Sequence, residues 1–365
     1  MTTTTIAAII PAPAASTQVS RDLRTSPLLP GRHLQSISAL LPTMQARPAH
    51  MRVEQWRLAL PHLPGEDAGT LVVDSIWQPH AAPAVVIIHG AAGISTDGYV
   101  LRAAHRFARH GFHVVMPNLR GSGKGIGLSS RLYHAALTAD LRCILDVVEV
   151  RDDVTRVGLL GWSLGGHVAL RYAAEVEGAP SLDGVTRPRG KLASVVTVSA
   201  PVDLVETDKS FSSPGQLRGL YARAILVNLR NYARHLKLRE RERLTLSIDD
   251  CMRLSSIRDY DEKITAPSYG FPNAEAYYER ASVAPHLPHI AVPVLAIHAE
   301  DDPIVPVAPM RAHAPRALAI DLVVTRRGGH VGFFEGLSQL WRGSYATERA
   351  VEHFERTLKE SAAQR

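Results

Sequence analysis

Cysteine is nearly absent: Cys143 and Cys251 are the only two in 365 residues. They lie far apart and form no CxxC pair, which excludes a disulfide framework and favours a reducing, cytoplasmic setting. No run of about 18 uninterrupted apolar residues occurs, which argues against a membrane-spanning helix. The opening MTTTTIAAIIPAPAAS has no basic stretch ahead of its short apolar run, so it does not read as a secretory signal. Residues 1–30, rich in Thr, Ala and Pro, are expected to form a flexible tail. Charge excess is also small, at +6. The basic stretch 217–244 reads as solvated faces of amphipathic helices, without the interleaved aromatics of a nucleic-acid surface. Nucleic acid is therefore not expected as a partner. Weak peripheral contact with a membrane through this basic stretch is the larger partnership that the composition suggests. The 17 histidines include no HExxH pair, and HLPH at 286–289 stands alone beside a proline, so no metal is expected. RGSGKGIG at 120–127 lacks Walker A spacing, with Gly125 where Ser or Thr should follow Lys124, and reads as a loop.

What is present is globular: 45% hydrophobic and 21% charged residues, with ample length for a large core. Short β-branched runs at 52–58, 69–77, 84–89, 112–118, 156–161, 192–200, 292–299 and 318–325 predict strands. Helical patterns at 98–110, 134–150, from 164 to about 176, and 346–358 lie among them. This alternation predicts an α/β fold with a mainly parallel central sheet flanked by helices, and an antiparallel pair among the first strands. The rhythm stops between 201 and 290, where the chain is mostly helical and basic. Strand patterns on both sides make this stretch a helical cap insertion in one core, 31–200 and 291–365. It is expected over the C-terminal ends of the strands, where such sheets bind ligands.

The predicted strand at 156–161 runs into Gly161-Trp162-Ser163-Leu164-Gly165 and then into a helix. This is the nucleophile-elbow arrangement of α/β-hydrolases: glycines admit a tight turn, and the serine projects above the sheet. A bare G-x-S-x-G match arises by chance in roughly one chain in ten of this length at average composition. The partners must therefore decide, because serine is a weak nucleophile without a base. His330 lies in the glycine-rich RRGGHVGFFEG after the last predicted strand. Asp301 and Asp302 follow the preceding strand, and the place ahead of PIVP favours Asp302, with Asp301 left to cap the turn. The order Ser163, acid, His330 suits the fold. An oxyanion needs two backbone N–H groups. Leu164 follows the serine, and Ala91 in IIHGAAG follows the third core strand. His89 in that loop is expected to brace it.

With these segments placed, the chain resembles the YheT-like branch of the α/β-hydrolases, related to plant embryogenesis-associated hydrolases and animal abhydrolase-domain lipases. The motifs that carry the resemblance are GRHLQSI, NLRGSGKG, LYHAALTADL, SAPVDL, ITAPSYGF with AYYERAS, AEDDP and GGHVGF, in order from about residue 31 to the C-terminal helix. HGAAG departs from the bulkier oxyanion loop of the family, YHAA lacks its usual small-residue-Gly ending, and His167 replaces a frequent Asn. The resemblance implies a Ser163–Asp302–His330 triad, no cofactor, and hydrolysis of small-molecule or lipid esters, such as short- to medium-chain acyl esters or acylglycerols. Acyl transfer or thioester hydrolysis on the same triad is the alternative, and a ligand-binding scaffold without turnover is a further one. The sequence leaves the oligomeric state open.

Overall fold

Runs of Val, Ile and Leu that could not face water pair into one nine-stranded sheet. The computed structural model describes residues 18–19, 23, 25–42, 51–60, 69–212, 216–239 and 246–360. The strands are β1 (Gln18–Val19), β2 (Val53–Ala59), β3 (Thr70–Ile76), β4 (Ala82–Ile88), β5 (His113–Asn118), β6 (Val154–Trp162), β7 (Leu192–Val198), β8 (Val294–Ala299) and β9 (Ile320–Thr325). They lie in the order β1-β9-β8-β7-β6-β4-β5-β3-β2. The pairings among β4 to β9, and of β1 with β9, are parallel; β2/β3 and β3/β5 are antiparallel. The mainly parallel sheet with an early antiparallel pair is thus as expected.

Both faces of the sheet are covered, which is why β4 is buried along its whole length. Its side chains alternate between two cores. Ala84, Val86 and Ile88 join Ile144, Leu145 and Val168 on one face; Val85 and Ile87 join Phe107 and Phe354 on the other. The helices that supply these contacts are α2 (Gly98–Arg109), α3 (Thr138–Glu149), α4 (Leu164–Glu175) and the C-terminal Tyr345–Phe354.

Between β7 and β8 the chain forms α5 (Leu204–Ser212), α6 (Gln216–Arg239) and shorter helical turns. Leu226, Leu229, Ala233 and Leu236 of α6 are buried against the rest of the molecule. His167 of α4 ties both ends of this stretch: its Nδ1 lies 2.5 Å from Pro201 O and its Nε2 2.9 Å from Ala281 O. Burial pushes its pKa down to about 4, against the pull of both carbonyls.

Two features differ from the sequence reading. Of the tail expected over 1–30, residues 1–17 lie outside the described residues. Gln18 and Val19 extend the sheet beside β9, and Leu23, Ser26 and Leu29 are buried. Edge pairing and burial thus involve parts of this stretch despite a composition poor in core residues. The helix α1 (Gly31–Leu40) was not anticipated: its inward residues include Gln35, Ser36 and Ser38, so no apolar inward stripe marks it. Among the described residues no helix is long and apolar enough to cross a membrane.

Candidate active site

β6 ends at Trp162 and α4 begins at Leu164, so Ser163 alone joins strand to helix. Its φ of 52° and ψ of −122° are strained for a residue with a Cβ. The Ser163 N–H donates to Val198 O at 2.8 Å, and Ser163 O accepts from Gly166 N at 2.9 Å. A Cβ on Gly161 would overlap the backbone of Gly165 and Gly166, and one on Gly165 would strike the carbonyls of Ile88 and His89. Glycine at both positions is thus what allows the corner. Gly90 keeps the flank of the serine open, since a Cβ there would lie 3.1 Å from Ser163 Cβ.

The carboxylate facing His330 is Asp302. His330 Nδ1 lies 2.9 Å from Oδ2 and 3.1 Å from Oδ1. Oδ1 also accepts from the N–H groups of Ile304 and Val305 at 2.9 and 3.0 Å. Burial alone would raise the Asp302 carboxyl. The adjacent His330, then His298 and the Val305 N–H, outweigh it and hold the pKa below the usual carboxylate value. Asp301 takes another role: its Oδ1 accepts from Gly329 N at 2.9 Å, so it braces the His330 loop instead of capping the turn after it. Burial raises its pKa.

Ser163 and His330 line one cavity with Gly90, Ala91, Ser36 and Asn228. Ser163 and Ala91 also line a second, largely apolar cavity of about 820 Å³, counted with its open part, with Leu164 and residues of α5 and α6. Two spaces therefore meet at the serine. Among the described residues, the backbone N–H groups of Ala91 and Leu164 meet no protein acceptor. Leu164 opens α4, where the helix dipole favours negative charge.

The loop that carries Ala91 is held from several sides. His89 Nδ1 lies 2.8 Å from Gly90 O, and its Nε2 accepts from Leu119 N at 3.1 Å. Burial lowers its pKa to about 4, which keeps the ring neutral and suits the brace expected of it. Gly90 N donates to Tyr99 OH at 2.9 Å, and Ala92 N to Tyr133 OH at 2.5 Å. Ala92, with φ 57°, offers its carbonyl to Tyr232 OH at 3.2 Å and Asn228 Nδ2 at 3.3 Å, both on α6.

A model of the alpha/beta hydrolase fold matches residues 83–337. The chain belongs to the α/β-hydrolase fold family. Relatives of this family member include the Embryogenesis-associated protein EMB8 of Picea glauca, 29% identical over 93% of this chain and 73% of that protein. The Monoacylglycerol lipase of Saccharomyces cerevisiae is 29% identical over 71% of this chain and 56% of its own length. YheT of Escherichia coli is 28% identical over 85% of this chain and 87% of YheT. The resemblance to the YheT-like branch is thus met. Among solved structures, the Pyrococcus furiosus esterase Pf2001 superposes with a TM-score of 0.52 over 87% of this chain and 99% of that one, at 15% identity, a likeness of fold.

Several residues at this hydrolase-fold site were missed from sequence. Ser36 Oγ accepts from His330 N at 2.8 Å. Gln35 clasps Phe334: Oε1 accepts from its N–H at 2.7 Å and Nε2 donates to its carbonyl at 2.9 Å. GRHLQSI was legible as a motif, but its contact with a loop almost 300 residues away was not. Tyr133, Asn228 and Tyr232 carried no local signal of their contact with Ala92. Among the described residues no cluster of His, Cys, Asp or Glu is arranged to hold a metal ion.

Proposed function

We propose that this protein is a serine carboxylic-ester hydrolase in which Ser163 is the nucleophile, His330 the general base and acid, and Asp302 the partner of His330. The observation that carries the reading is the convergence of a strained strand-to-helix serine, an Asp302-paired histidine and the Ala91 loop around one cavity, with Leu164 on the second cavity that meets it at the serine. Ser163 Oγ attacks the ester carbonyl and its proton passes to His330 Nε2. The N–H groups of Ala91 and Leu164 hold the oxyanion. The bond to the alcohol oxygen breaks, and the proton on His330 goes to that oxygen. Water then gives a proton to His330 as its oxygen attacks the acyl carbon; the bond to Ser163 Oγ breaks, His330 returns the proton to Oγ, and the acid leaves. Asp302 keeps the histidine proton on Nδ1 and stabilises the imidazolium.

The helical stretch 201–290 acts as a cap in this reading, with Leu229 and Phe211 among the walls of the apolar cavity. That cavity suits an acyl chain, and the neighbouring space at His330 suits the alcohol. The lipase name of the yeast relative supports lipid-like esters as the substrate class. The test is hydrolysis of p-nitrophenyl esters from acetate to palmitate by wild type and by Ser163→Ala, both shown to be folded. Loss of roughly 10⁶ in turnover is expected of the variant. Equal rates in the two proteins would refute the assignment.

A further inference from the structure

Helix α1 is built inside out. Gln35, Ser36 and Ser38 face the protein, whereas Leu34, Ile37 and Leu40 are 45%, 51% and 57% exposed. Leu41, just past its end, is 48% exposed, and Leu34, Ile37 and Leu41 follow the spacing of one helix face. A helix in water normally does the reverse. The inward polarity has a local reason, because Gln35 and Ser36 hold the His330 loop by hydrogen bonds. Among the described residues no packing partner covers the outward leucines and isoleucine, and contiguous exposed apolar surface marks an interaction site.

The neighbouring α6 extends this surface. Tyr221 stacks on His33 of α1 with ring centroids 5.8 Å apart, and its hydroxyl lies 3.1 Å from His33 Nδ1. Val227, on the same helix, is 59% exposed. Arg32 on α1 and Arg223 and Arg234 on α6 are also exposed. Leu40 belongs both to this surface and to the cavity lined by Ser163 and His330, so the apolar face rims the cavity mouth. A protein seated there would stopper the cavity. A lipid surface would instead present its molecules to it, and anionic headgroups would match the arginines.

We propose that the outward face of α1, joined by Val227 and flanked by these arginines, docks the protein onto an anionic lipid surface so that esters enter the Ser163 cavity from the bilayer. The docking stands on the surface alone; the delivery of esters rests on the ester-hydrolase reading. The basic stretch read from sequence thus supplies charge, and α1 supplies the apolar half of the contact.

The test is co-flotation of the full-length protein with vesicles of phosphatidylcholine alone, or of phosphatidylcholine mixed with phosphatidylglycerol. Wild type should float with the mixed vesicles, and added salt should weaken binding without abolishing it, since only the charged part is screened. Leu34→Ser combined with Ile37→Ser should lower the partition coefficient by roughly tenfold or more, from the transfer cost of large aliphatic side chains. Hydrolysis of soluble p-nitrophenyl acetate by this double variant should equal that of wild type, which also shows that it is folded. Absence of wild-type flotation with mixed vesicles, or flotation of the double variant equal to wild type, would overturn the proposal. So would a wild-type dimer in light scattering that the double variant abolishes, since the face would then join two copies. Wild-type turnover measured beside flotation separates the two readings: vesicle binding without turnover of any ester would leave the docking intact and remove the ester-hydrolase assignment.

Discussion

Replacing Asp302 by Asn changes one atom and isolates one effect. The Asn Oδ1 can still accept from the Ile304 and Val305 N–H groups, which now lie 2.9 and 3.0 Å from Asp302 Oδ1. Its Nδ2 would then occupy the position of Oδ2, 2.9 Å from His330 Nδ1. An amide nitrogen there donates, so His330 must accept at Nδ1 and carry its proton on Nε2. That tautomer cannot take a proton from Ser163. Turnover of a soluble p-nitrophenyl ester should fall by about 10⁴, with KM changed little. Asp301→Asn is the matched control: its Oδ1 can still accept from Gly329 N, so activity should stay within about tenfold of wild type, the value of a weakened hydrogen bond. The pH dependence of stability adds a second readout. The Asp302 pKa is lowered in the folded protein, so its ionised form stabilises the fold above the unfolded pKa. That contribution is lost as pH falls through the folded value, and the Asn variant should lack it. Turnover of Asp302→Asn within about tenfold of wild type would refute the reasoning, because no wrong tautomer could then be limiting.

Two further outcomes follow from the same geometry. Tyr133→Phe removes the acceptor of the Ala92 N–H beside the oxyanion loop, and leaving that buried donor unpaired costs about 1–3 kcal/mol. A loss in kcat of about tenfold with KM nearly unchanged is expected in steady-state kinetics, and a change in KM alone would contradict a positioning role. Asp261 lines the apolar cavity, and burial raises its pKa from 3.8 to about 6, against hydrogen bonds from Thr265 and Tyr278. A raised carboxyl pKa means stability that is present below 3.8 and lost as pH rises through about 6. Thermal melts should therefore show Asp261→Asn gaining on wild type by about 1–3 kcal/mol between acid and neutral pH, the scale of a two-unit shift reduced for partial exposure. A difference independent of pH would contradict the shift.

The α/β class, the strand positions and the serine corner were legible because each depends on neighbours in the chain. β4, β6 and β7 are short apolar runs, and parallel strands buried on both faces need such runs. Gly161 and Gly165 flank Ser163 because a Cβ at either would strike backbone, and that demand is visible as G-x-S-x-G. By contrast, β1 is two residues long and rests on pairing with β9, which no local pattern announces. Helix α1 escaped notice because hydrophobic periodicity presumes an apolar inner face, and its inner face is polar to serve the His330 loop.

The sequence by itself determined which residues could do chemistry here: a serine held at a glycine corner, two adjacent aspartates and a late histidine in a glycine-rich loop. The tertiary structure gave the two adjacent aspartates their partners: Asp302, already favoured by its place ahead of PIVP, faces His330, and Asp301 faces Gly329 N, a contact no local pattern announces. It likewise decided that α6 would grip the Ala92 carbonyl and that α1 would turn its leucines outward. Local sequence sets backbone conformation through sterics and periodicity over a few residues. Which surfaces then meet depends on packing the whole chain, where contacts between residues hundreds of positions apart leave no periodic trace.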